Sequence, residues 1–281
     1  MDFRYSSLST YYSCQKKYYY QWILKYRRIA AESALIRGGA IHDMLDVWQK
    51  TKDINLAMEA AKEYITKTDL FAEEKSLLVS QAVETMRVYQ EGMNDIKYTV
   101  VSTEVEFIFD MPSLDEKRSN KLAMHLDGII LLSLGGNDIL FLLENKTTKM
   151  IPSNWEQKYN MDNQALGYLW GLKHQTLNID WRNVRGMVLN LIRVPMMDSR
   201  SKYGELVRSV YFPLEELITE WYMETVRTIL EIERKTTEGT YSNFPKNTAA
   251  CFDYNKPCQY LGLCNKTIGE KEVPFLFNIG T

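Results

Sequence analysis

The chain has 281 residues, of which 45% are hydrophobic and 25% charged, and its formal net charge is −2. This composition is typical of a soluble globular protein and excludes a uniformly basic nucleic-acid binder, so contact with nucleic acid would need a local basic patch. No apolar run reaches the roughly 18 residues of a membrane span, and the polar, aromatic N-terminus lacks the apolar core of a signal peptide, which together predict a cytoplasmic protein without a membrane partner.

The spacing of apolar residues predicts helices in the first third of the chain and mostly strands after it. Helices are predicted over residues 8–24, around 41–48, and over 55–67, 73–94, 154–175 and 214–236. Strands are predicted over residues 98–109, 122–132, 139–146, 184–193 and 206–212. Gly38 and Gly39 are expected to separate the first two helices, and the run Gly135-Gly136-Asn137-Asp138 is a strong turn signal between two strands.

This order predicts an α/β fold with a mixed central sheet flanked by helices, in which a three-stranded meander is followed by a crossover helix and a return strand. Because no stretch has the composition of a flexible linker, one domain over 1–281 is expected. It would consist of a helical N-terminal part over 1–97, an α/β core over 98–238, and a tail over 239–281 that holds three of the four cysteines.

An acidic strand pair is the first candidate site. Asp127 lies in one predicted strand, and Glu144 and Lys146 lie in the next strand, across the tight turn. Side chains alternate between the two faces of a strand, so Glu144 and Lys146 share a face that Asp127 can join. Two carboxylates and the carbonyl of Asn145 make an oxygen-rich site suited to Mg²⁺ or Mn²⁺, where Lys146 would orient an activated water. The simpler alternative is an exposed Glu–Lys pair at a strand end.

Two further patterns flank this strand pair. His42 follows Gly38 by four residues in a predicted helix. Gln164 and Tyr168 are four residues apart in the helix after the acidic strand, and therefore lie on one helix face. A single histidine or a Gln/Tyr pair is more often structural, but all three patterns in this order favour a functional site.

Three polar residues near the strand pair are weaker candidates. His125 is two residues from Asp127 and is expected on the same strand face. Glu104 and Glu106 lie on the first predicted strand and could approach the site. For both glutamates, an exposed position on the strand is the simpler interpretation.

Residues 1–40 form the one candidate basic patch, with seven basic against two acidic side chains, interleaved with tyrosines and Trp22. Lysine and arginine suit phosphates, and aromatic faces suit unstacked bases, so Lys16 and Lys17 are candidate nucleic-acid contacts. The alternative is an amphipathic helix whose tyrosines lie in the core and whose lysines lie in water.

The four cysteines are Cys14 and a C-terminal set spaced Cys-x6-Cys-x5-Cys at Cys251, Cys258 and Cys264. Disulfides are disfavoured in a reducing cytosol, so four thiols fit one metal site. Structural zinc usually draws on short Cys-x2–4-Cys knuckles, which are absent, whereas an iron–sulfur cluster tolerates wider spacing. Zinc and the absence of a metal remain alternatives.

These residues, taken in chain order, resemble the motif series of the RecB-type nucleases in the PD-(D/E)XK superfamily. The series is Gly-x-x-x-His, Asp-Gly, Glu-x-Lys and Gln-x-x-x-Tyr. Here it consists of Gly38 and His42, Asp127 and Gly128, Glu144 and Lys146, and Gln164 and Tyr168. The residue before Asp127 is Leu126 rather than proline, a common departure.

The resemblance implies a restriction-endonuclease-like fold and a role for each motif. His42, Asp127, Glu144 and the Asn145 carbonyl would be metal ligands. Lys146 would act with the two carboxylates as the catalytic lysine. By the same resemblance, the DNA strand near the site would be contacted by Gln164 and Tyr168.

The resemblance extends to the cysteines. Iron–sulfur members of the RecB-type group, including CRISPR-adaptation exonucleases and the nuclease domains of some helicase–nucleases, have one cysteine before the nuclease motifs and three after them. Their usual C-terminal spacing is Cys-x2-Cys-x5-Cys, whereas the first gap here is six residues. The implied cofactor is a structural [4Fe–4S] cluster on Cys14, Cys251, Cys258 and Cys264, which would tie the tail to the N-terminal helix.

The prediction that results is a stand-alone, Mg²⁺- or Mn²⁺-dependent DNA exonuclease acting at single-stranded or duplex ends in recombination, repair or replication. The sequence has no Gly-x4-Gly-Lys-Ser/Thr phosphate loop, so a separate helicase or annealing protein would supply the substrate. The motor-free form resembles phage-encoded recombination exonucleases as much as bacterial repair ones, which would place it in a host cytoplasm. The alternatives are a structure-specific endonuclease and a non-catalytic DNA-binding module of a recombination complex.

Overall fold

The chain is divided into two compact units by its internal contacts. The computed structural model describes residues 1–29, 33–93, 98–134, 136–160, 163–174, 184–195, 203–239, 241–269 and 271–280. We name one unit the terminal unit; it contains Met1–Ala31, Ile108–Met124 and Tyr222–Thr281. We name the other the central unit; it contains Glu32–Phe107 and His125–Trp221. A single domain over 1–281 stays a prediction.

The helices and strands follow the predicted order closely. The helices are α1 (Tyr5–Ser13), α2 (Gln15–Tyr18), α3 (Ser33–Thr51), α4 (Ile54–Thr66), α5 (Ala72–Met93), α6 (Trp155–Asn160), α7 (Asn163–His174), α8 (Glu215–Thr237), α9 (Leu261–Cys264) and α10 (Val273–Leu276). The strands are β1 (Asp2–Arg4), β2 (Tyr26–Arg28), β3 (Tyr98–Met111), β4 (Asn120–Leu134), β5 (Asn137–Thr148), β6 (Val184–Arg193), β7 (Glu205–Tyr211) and β8 (Phe277–Ile279). Some residues of three predicted segments lie outside the described residues. These are residue 94 of the predicted helix 73–94, residue 135 of the predicted turn, and residues 161–162 and 175 of the predicted helix 154–175.

The central unit contains the predicted mixed sheet. Strand β4 pairs antiparallel with β5, β5 parallel with β6, and β6 antiparallel with β7, while β3 pairs with β4. The parallel step from β5 to β6 needs a crossover, and α6 and α7 lie in that connection. Five consecutive residues of β5 and seven consecutive residues of β6 are buried, as in strands that are covered on both faces. The predicted α/β fold class is confirmed.

Helices α3, α4 and α5 pack into one apolar cluster of the central unit. Met44, Met86 and Tyr89 are fully buried there, and burying a side chain of this size stabilises the fold by roughly 1.5–3 kcal/mol. Helix α4 begins after Asp53, whose carboxylate accepts the backbone N–H groups of Asn55 at 2.8 Å and Leu56 at 3.2 Å. Such a cap contributes about 1 kcal/mol.

The prediction that Gly38 and Gly39 separate two helices is wrong, because α3 runs through both residues. Glycine lowers helix propensity, but tertiary packing overrides that preference here. A Cβ at Gly39 would lie 2.2 Å from Oη of Tyr64, so a larger residue there would force the Tyr64 side chain of α4 to move. For a Cβ built at Gly38, the nearest atom is Oγ1 of Thr147 at 3.9 Å, an ordinary van der Waals contact.

Strand β3 carries a local irregularity at Glu104. The backbone of Glu104 has φ +51°, in the left-handed region that non-glycine residues rarely adopt. The alternation of exposure also shifts by one residue between Ser102 and Val105. An extra residue with these features is a β-bulge, which redirects the side chains that follow it. Holding an L-residue in this conformation costs about 1 kcal/mol.

The terminal unit contains the N-terminal helices and the cysteine-bearing tail. The predicted helix over 8–24 is interrupted at Cys14, where the backbone is extended with φ −161° and ψ 113°. Strand β2 pairs antiparallel with β8, and β1 pairs parallel with residues 121–123 of β4. An aromatic cluster of Tyr20, Tyr260 and Phe277 packs between these segments, so the tail is folded rather than irregular.

Across the described ranges, the structure contains no helix that is long and apolar enough to cross a membrane.

Candidate active site

Asp127 is held at the edge of the β4–β5 ladder by its own side chain. The last paired residues of the ladder are Gly128 and Leu143. Two residues further along β5, the backbone N–H of Asn145 donates to Oδ2 of Asp127 at 2.6 Å. Asp127 is only 9% exposed. Burial opposes its charge, but the contact with His42 and the Asn145 N–H outweigh burial and lower the pKa of the carboxyl.

Glu144 and Lys146 lie on the same face of β5, as the alternation of strand side chains predicts. Nζ of Lys146 is 2.5 Å from Oε1 of Glu144. Glu144 is 4% exposed, and its Oε2 is buried without a hydrogen-bond partner. Burial raises the pKa of Glu144 to about 7, Asp127 adds to the rise, and Lys146 opposes it. Two carboxylates and one ammonium therefore share a poorly solvated site.

His42 comes to this site from helix α3. Its Nδ1 lies 3.2 Å from Oδ1 of Asp127. Burial favours the neutral imidazole, but the carboxylates of Asp127 and Glu144 outweigh that effect and raise the pKa of His42. Three sequence-predicted residues from a helix and two strands are thus brought into one electrostatically coupled group.

Gln164 and Tyr168 form a chain of hydrogen bonds that begins at Lys146. Nζ of Lys146 donates to Oε1 of Gln164, Nε2 of Gln164 donates to Oη of Tyr168, and Oη of Tyr168 donates to the carbonyl of His125. Tyr168 is 1% exposed. The shared helix face was predictable from the four-residue spacing, but this set of partners was not.

A second buried polar group lies under the site and was missed by the sequence analysis. The side chain of Asn145 accepts from Nδ2 of Asn190 at 2.9 Å, and Oδ1 of Asn190 accepts from Nε of Arg208 at 2.8 Å. The three residues are direct neighbours across β5, β6 and β7. A satisfied polar row of this kind fixes strand register. Its only sequence signal was an asparagine in each of two apolar strands.

The donor chemistry of the site fits a hard divalent cation. Magnesium and manganese prefer carboxylate and carbonyl oxygens, and Glu144 Oε2 is a buried carboxylate oxygen that lacks a protein partner. In the described part of the chain, however, no group of three or more His, Cys, Asp or Glu side chains is already arranged to hold a metal ion. The fit therefore rests on the donor types, not on a preformed coordination shell.

The four cysteines belong to the terminal unit and are free thiols. Burial raises the pKa of Cys264 to about 11, and the neighbouring thiols of Cys14, Cys258 and Cys251 contribute to the rise. The backbone N–H of Asn247 donates to Sγ of Cys14 at 3.3 Å. Among the described residues, however, these thiols are not arranged as a group that could hold a metal ion.

Lys16 and Lys17 differ in their surroundings. Lys16 is 5% exposed, and its Nζ donates to the Tyr241 carbonyl and lies 3.2 Å from the centre of the Tyr241 ring. Burial lowers the pKa of Lys16. Lys17 is half-buried. The ammonium of Lys16 thus faces the aromatic cluster, which favours a structural role over contact with a phosphate.

Comparison with known proteins gives one extensive match. Residues 3–265 match the family described as the PD-(D/E)XK nuclease superfamily. No curated protein matches the sequence. Among solved structures, the chain is similar to the crystal structure of SSO0001, with 14% identity, a TM-score of 0.28, and coverage of 56% of this chain and 67% of that one. Since the family match extends over nearly the whole sequence, the chain belongs to the PD-(D/E)XK nuclease superfamily.

Proposed function

We propose that this chain is a metal-dependent DNA exonuclease of the RecB-type group, whose active site is formed by His42, Asp127, Glu144 and Lys146. The observation that carries the proposal is the buried pair of carboxylates beside an ammonium, with Oε2 of Glu144 left without a protein partner. Burying such charges is costly unless they are paired or bound to a metal.

Each residue has a proposed role. Mg²⁺ or Mn²⁺ would be held by His42, Asp127, Glu144 and the carbonyl of Asn145. When bound, the ion supplies Lewis-acid polarisation of a phosphate and a more acidic bound water. Lys146 faces the same space and offsets negative charge that develops on the phosphate during in-line attack.

Gln164 and Tyr168 are proposed to position Lys146 and to support the DNA strand beside it. A lysine has four rotatable side-chain bonds, so a fixed partner for its ammonium reduces the conformations it samples. Gln164 is such a partner. Because Tyr168 is buried, direct DNA contact is proposed for Gln164 rather than for the tyrosine ring. Lys17 is proposed as a phosphate contact, whereas the buried ammonium of Lys16, which donates to the Tyr241 carbonyl, favours a structural role.

Attack at DNA ends, rather than within a strand, is the proposed mode of cleavage. A structure-specific endonuclease is the second candidate, and a non-catalytic DNA-binding module is the third. Linear DNA labelled in parallel at the 5′ and 3′ ends, and circular single-stranded DNA, are incubated with Mg²⁺ or Mn²⁺, with EDTA as control. An exonuclease degrades only the linear DNA. Cutting of the circle supports the endonuclease, and tight binding without cutting at any metal concentration supports the binding module.

The setting proposed for this activity is DNA recombination, repair or replication in a bacterial or phage-infected cytoplasm. A separate helicase or annealing protein would provide DNA ends, since the sequence lacks a phosphate-loop motif. Co-purification from such a cell with and without a DNA substrate tests for that partner.

We also propose that Cys14, Cys251, Cys258 and Cys264 hold a structural [4Fe–4S] cluster, with zinc as the alternative. The proximity of the four thiols and the N–H donor to Cys14 support it. An anaerobic preparation is expected to show a broad visible absorption and to contain about four irons per chain. One zinc without iron would overturn the cluster.

A further inference from the structure

His125 and Glu104 form an ion pair in the central unit that the proposed reaction does not use. Nε2 of His125 lies 3.1 Å from Oε2 of Glu104, and their side chains are 52% and 36% exposed. In the described chain, Nδ1 of His125 has no protein hydrogen-bond partner. One edge of the imidazole is therefore fixed by the carboxylate, and the other is available to a ligand.

The pair lies on the strand face that carries the candidate active site. His125 and Asp127 are two residues apart on β4, and the intervening Leu126 is fully buried on the opposite face. Side chains two residues apart on a strand are separated by about 7 Å. The backbone of His125 is also fixed, because its carbonyl accepts from Tyr168 in the hydrogen-bond chain that leads to Lys146.

The β-bulge at Glu104 is what brings the carboxylate to His125. Before the bulge, Tyr98, Val100 and Ser102 are the less exposed residues of β3, and after it Val105 is buried and Glu104 is exposed. A regular strand would have continued the first alternation and turned Glu104 to the inner face. Strained residues of this kind tend to be kept where a side chain has a function.

We propose that His125, oriented by Glu104, binds the phosphate of the substrate strand that neighbours the scissile phosphate. The inference rests on the proposed nuclease function and adds the substrate contact that sets the register of the strand. The separation of the two sites along β4 is comparable to the spacing of adjacent phosphates in an extended strand. The ring donates one N–H to Glu104, and in the imidazolium form its second N–H can donate to a phosphate oxygen, while the carboxylate fixes the orientation of the ring. His125 would touch the substrate, and Glu104 would be a positioning residue.

The test is binding of DNA strands that each carry one uncharged methylphosphonate at a different position. Affinity is measured by fluorescence anisotropy with Ca²⁺ in place of the activating metal, so that cleavage does not interfere. Wild type, His125→Ala, Glu104→Gln and the matched control Glu106→Gln are compared, with a thermal melt for each. Glu106 is an exposed glutamate two residues along the same strand.

We expect His125→Ala to weaken binding to unmodified DNA about fivefold, the loss of one hydrogen bond, and Glu104→Gln to weaken it less. A methylphosphonate at one position should weaken DNA binding by wild type but not by His125→Ala. The control Glu106→Gln should bind each DNA as wild type does. If the alanine variant does not fold, Glu104→Gln provides the same comparison. Unchanged affinity of the variants, or an equal loss at every modified position, overturns the inference.

Cleavage assays on the same proteins keep the two claims apart. If wild type binds DNA but cuts none with Mg²⁺ or Mn²⁺, the proposed nuclease function fails while the methylphosphonate series still tests the phosphate contact. If wild type cuts DNA and His125→Ala matches it in KM and affinity, only the phosphate contact fails. A raised KM with an unchanged kcat in His125→Ala supports the phosphate contact, since a purely structural defect would lower both stability and kcat.

Discussion

Nδ1 of His42 lies 3.2 Å from Oδ1 of Asp127, which joins helix α3 to strand β4 at the candidate site. These residues are 85 positions apart in the sequence. The contact raises the pKa of His42 after burial is taken into account and lowers that of Asp127. It therefore couples helix α3 to the acidic strand pair.

Removal of the Tyr168 hydroxyl should impair the positioning of Lys146. Tyr168→Phe removes the donor to the His125 carbonyl and the acceptor for Gln164. Leaving such buried groups unpaired costs about 1–2 kcal/mol of the free energy of unfolding, measurable by urea denaturation. We expect kcat to fall about tenfold with little change in KM, because Gln164, the partner of the Lys146 ammonium, loses the hydroxyl that holds its side chain in place.

The matched control is Tyr203→Phe, which removes a hydroxyl from a tyrosine that is 72% exposed in the same unit. This variant should keep both stability and kcat. An unchanged kcat in Tyr168→Phe would show that the hydrogen-bond chain does not position the lysine.

Alanine at the two adjacent glycines of α3 should have opposite effects on stability. Gly38→Ala has room for its Cβ and should raise the free energy of unfolding by about 0.5–1 kcal/mol, the gain in helix propensity. Gly39→Ala would place its Cβ 2.2 Å from Oη of Tyr64, and overpacking of this kind costs about 1–3 kcal/mol. Chemical denaturation of both variants measures the difference, and equal effects would contradict the packing of α3 on α4.

The backbone strain at Glu104 can be measured separately from the loss of its carboxylate. Glu104→Gly and Glu104→Ala both remove the contact with His125, but only glycine accepts φ +51° without strain. The glycine variant should therefore be about 1 kcal/mol more stable than the alanine variant.

The same substitutions at Glu106 provide the control. Glu106 lies in a regular part of β3, where glycine should be about 0.5–1 kcal/mol less stable than alanine. The bulge would be ruled out if both positions showed the same order of stability.

Glu233 should make the stability of the protein depend on pH in the acidic range. Its carboxylate accepts from the Ser113 hydroxyl at 2.6 Å, the Leu114 N–H at 3.0 Å and the Asn120 side chain at 2.9 Å. Burial opposes the charge, but these hydrogen bonds outweigh it and lower the pKa of Glu233. A lowered pKa contributes stability above the unfolded-state pKa of about 4.3, and that contribution is lost as pH falls through the folded-state pKa.

Thermal melts at neutral pH and near pH 3 test this linkage. Glu233→Gln should lower Tm at neutral pH, and the difference in Tm between this variant and wild type should be smaller near pH 3. Glu220→Gln, at an exposed position of the same helix, is the control and should match wild type at both values. If the difference in Tm between Glu233→Gln and wild type did not change with pH, the proposed contribution of the Glu233 carboxylate would be contradicted.

Regular features of the fold and site were predictable because they follow from local periodicity. The shared face of Glu144 and Lys146 follows from strand alternation, and that of Gln164 and Tyr168 follows from the helical repeat. The contact between Gln164 and Lys146 depends on how α7 packs on the sheet, which periodicity does not specify.

Features that depend on tertiary packing were missed or misread. The low helix propensity of glycine predicts a helix break at Gly38 and Gly39, whereas in the structure Tyr64 packs against the space that Gly39 leaves. The bulge at Glu104 involves a residue type with no preference for positive φ. Neither effect leaves a signal in the sequence around it.

The most direct measurement is digestion of end-labelled linear DNA with Mn²⁺ by wild type, Asp127→Ala and Lys146→Ala. Asp110→Ala and Lys121→Ala are the matched controls, since these residues form an exposed acid–lysine pair on β3 and β4. We expect the two site variants to lose at least about 100-fold in cleavage rate and both controls to stay close to wild type. Equal rates for wild type, Asp127→Ala and Lys146→Ala would contradict the proposed active site.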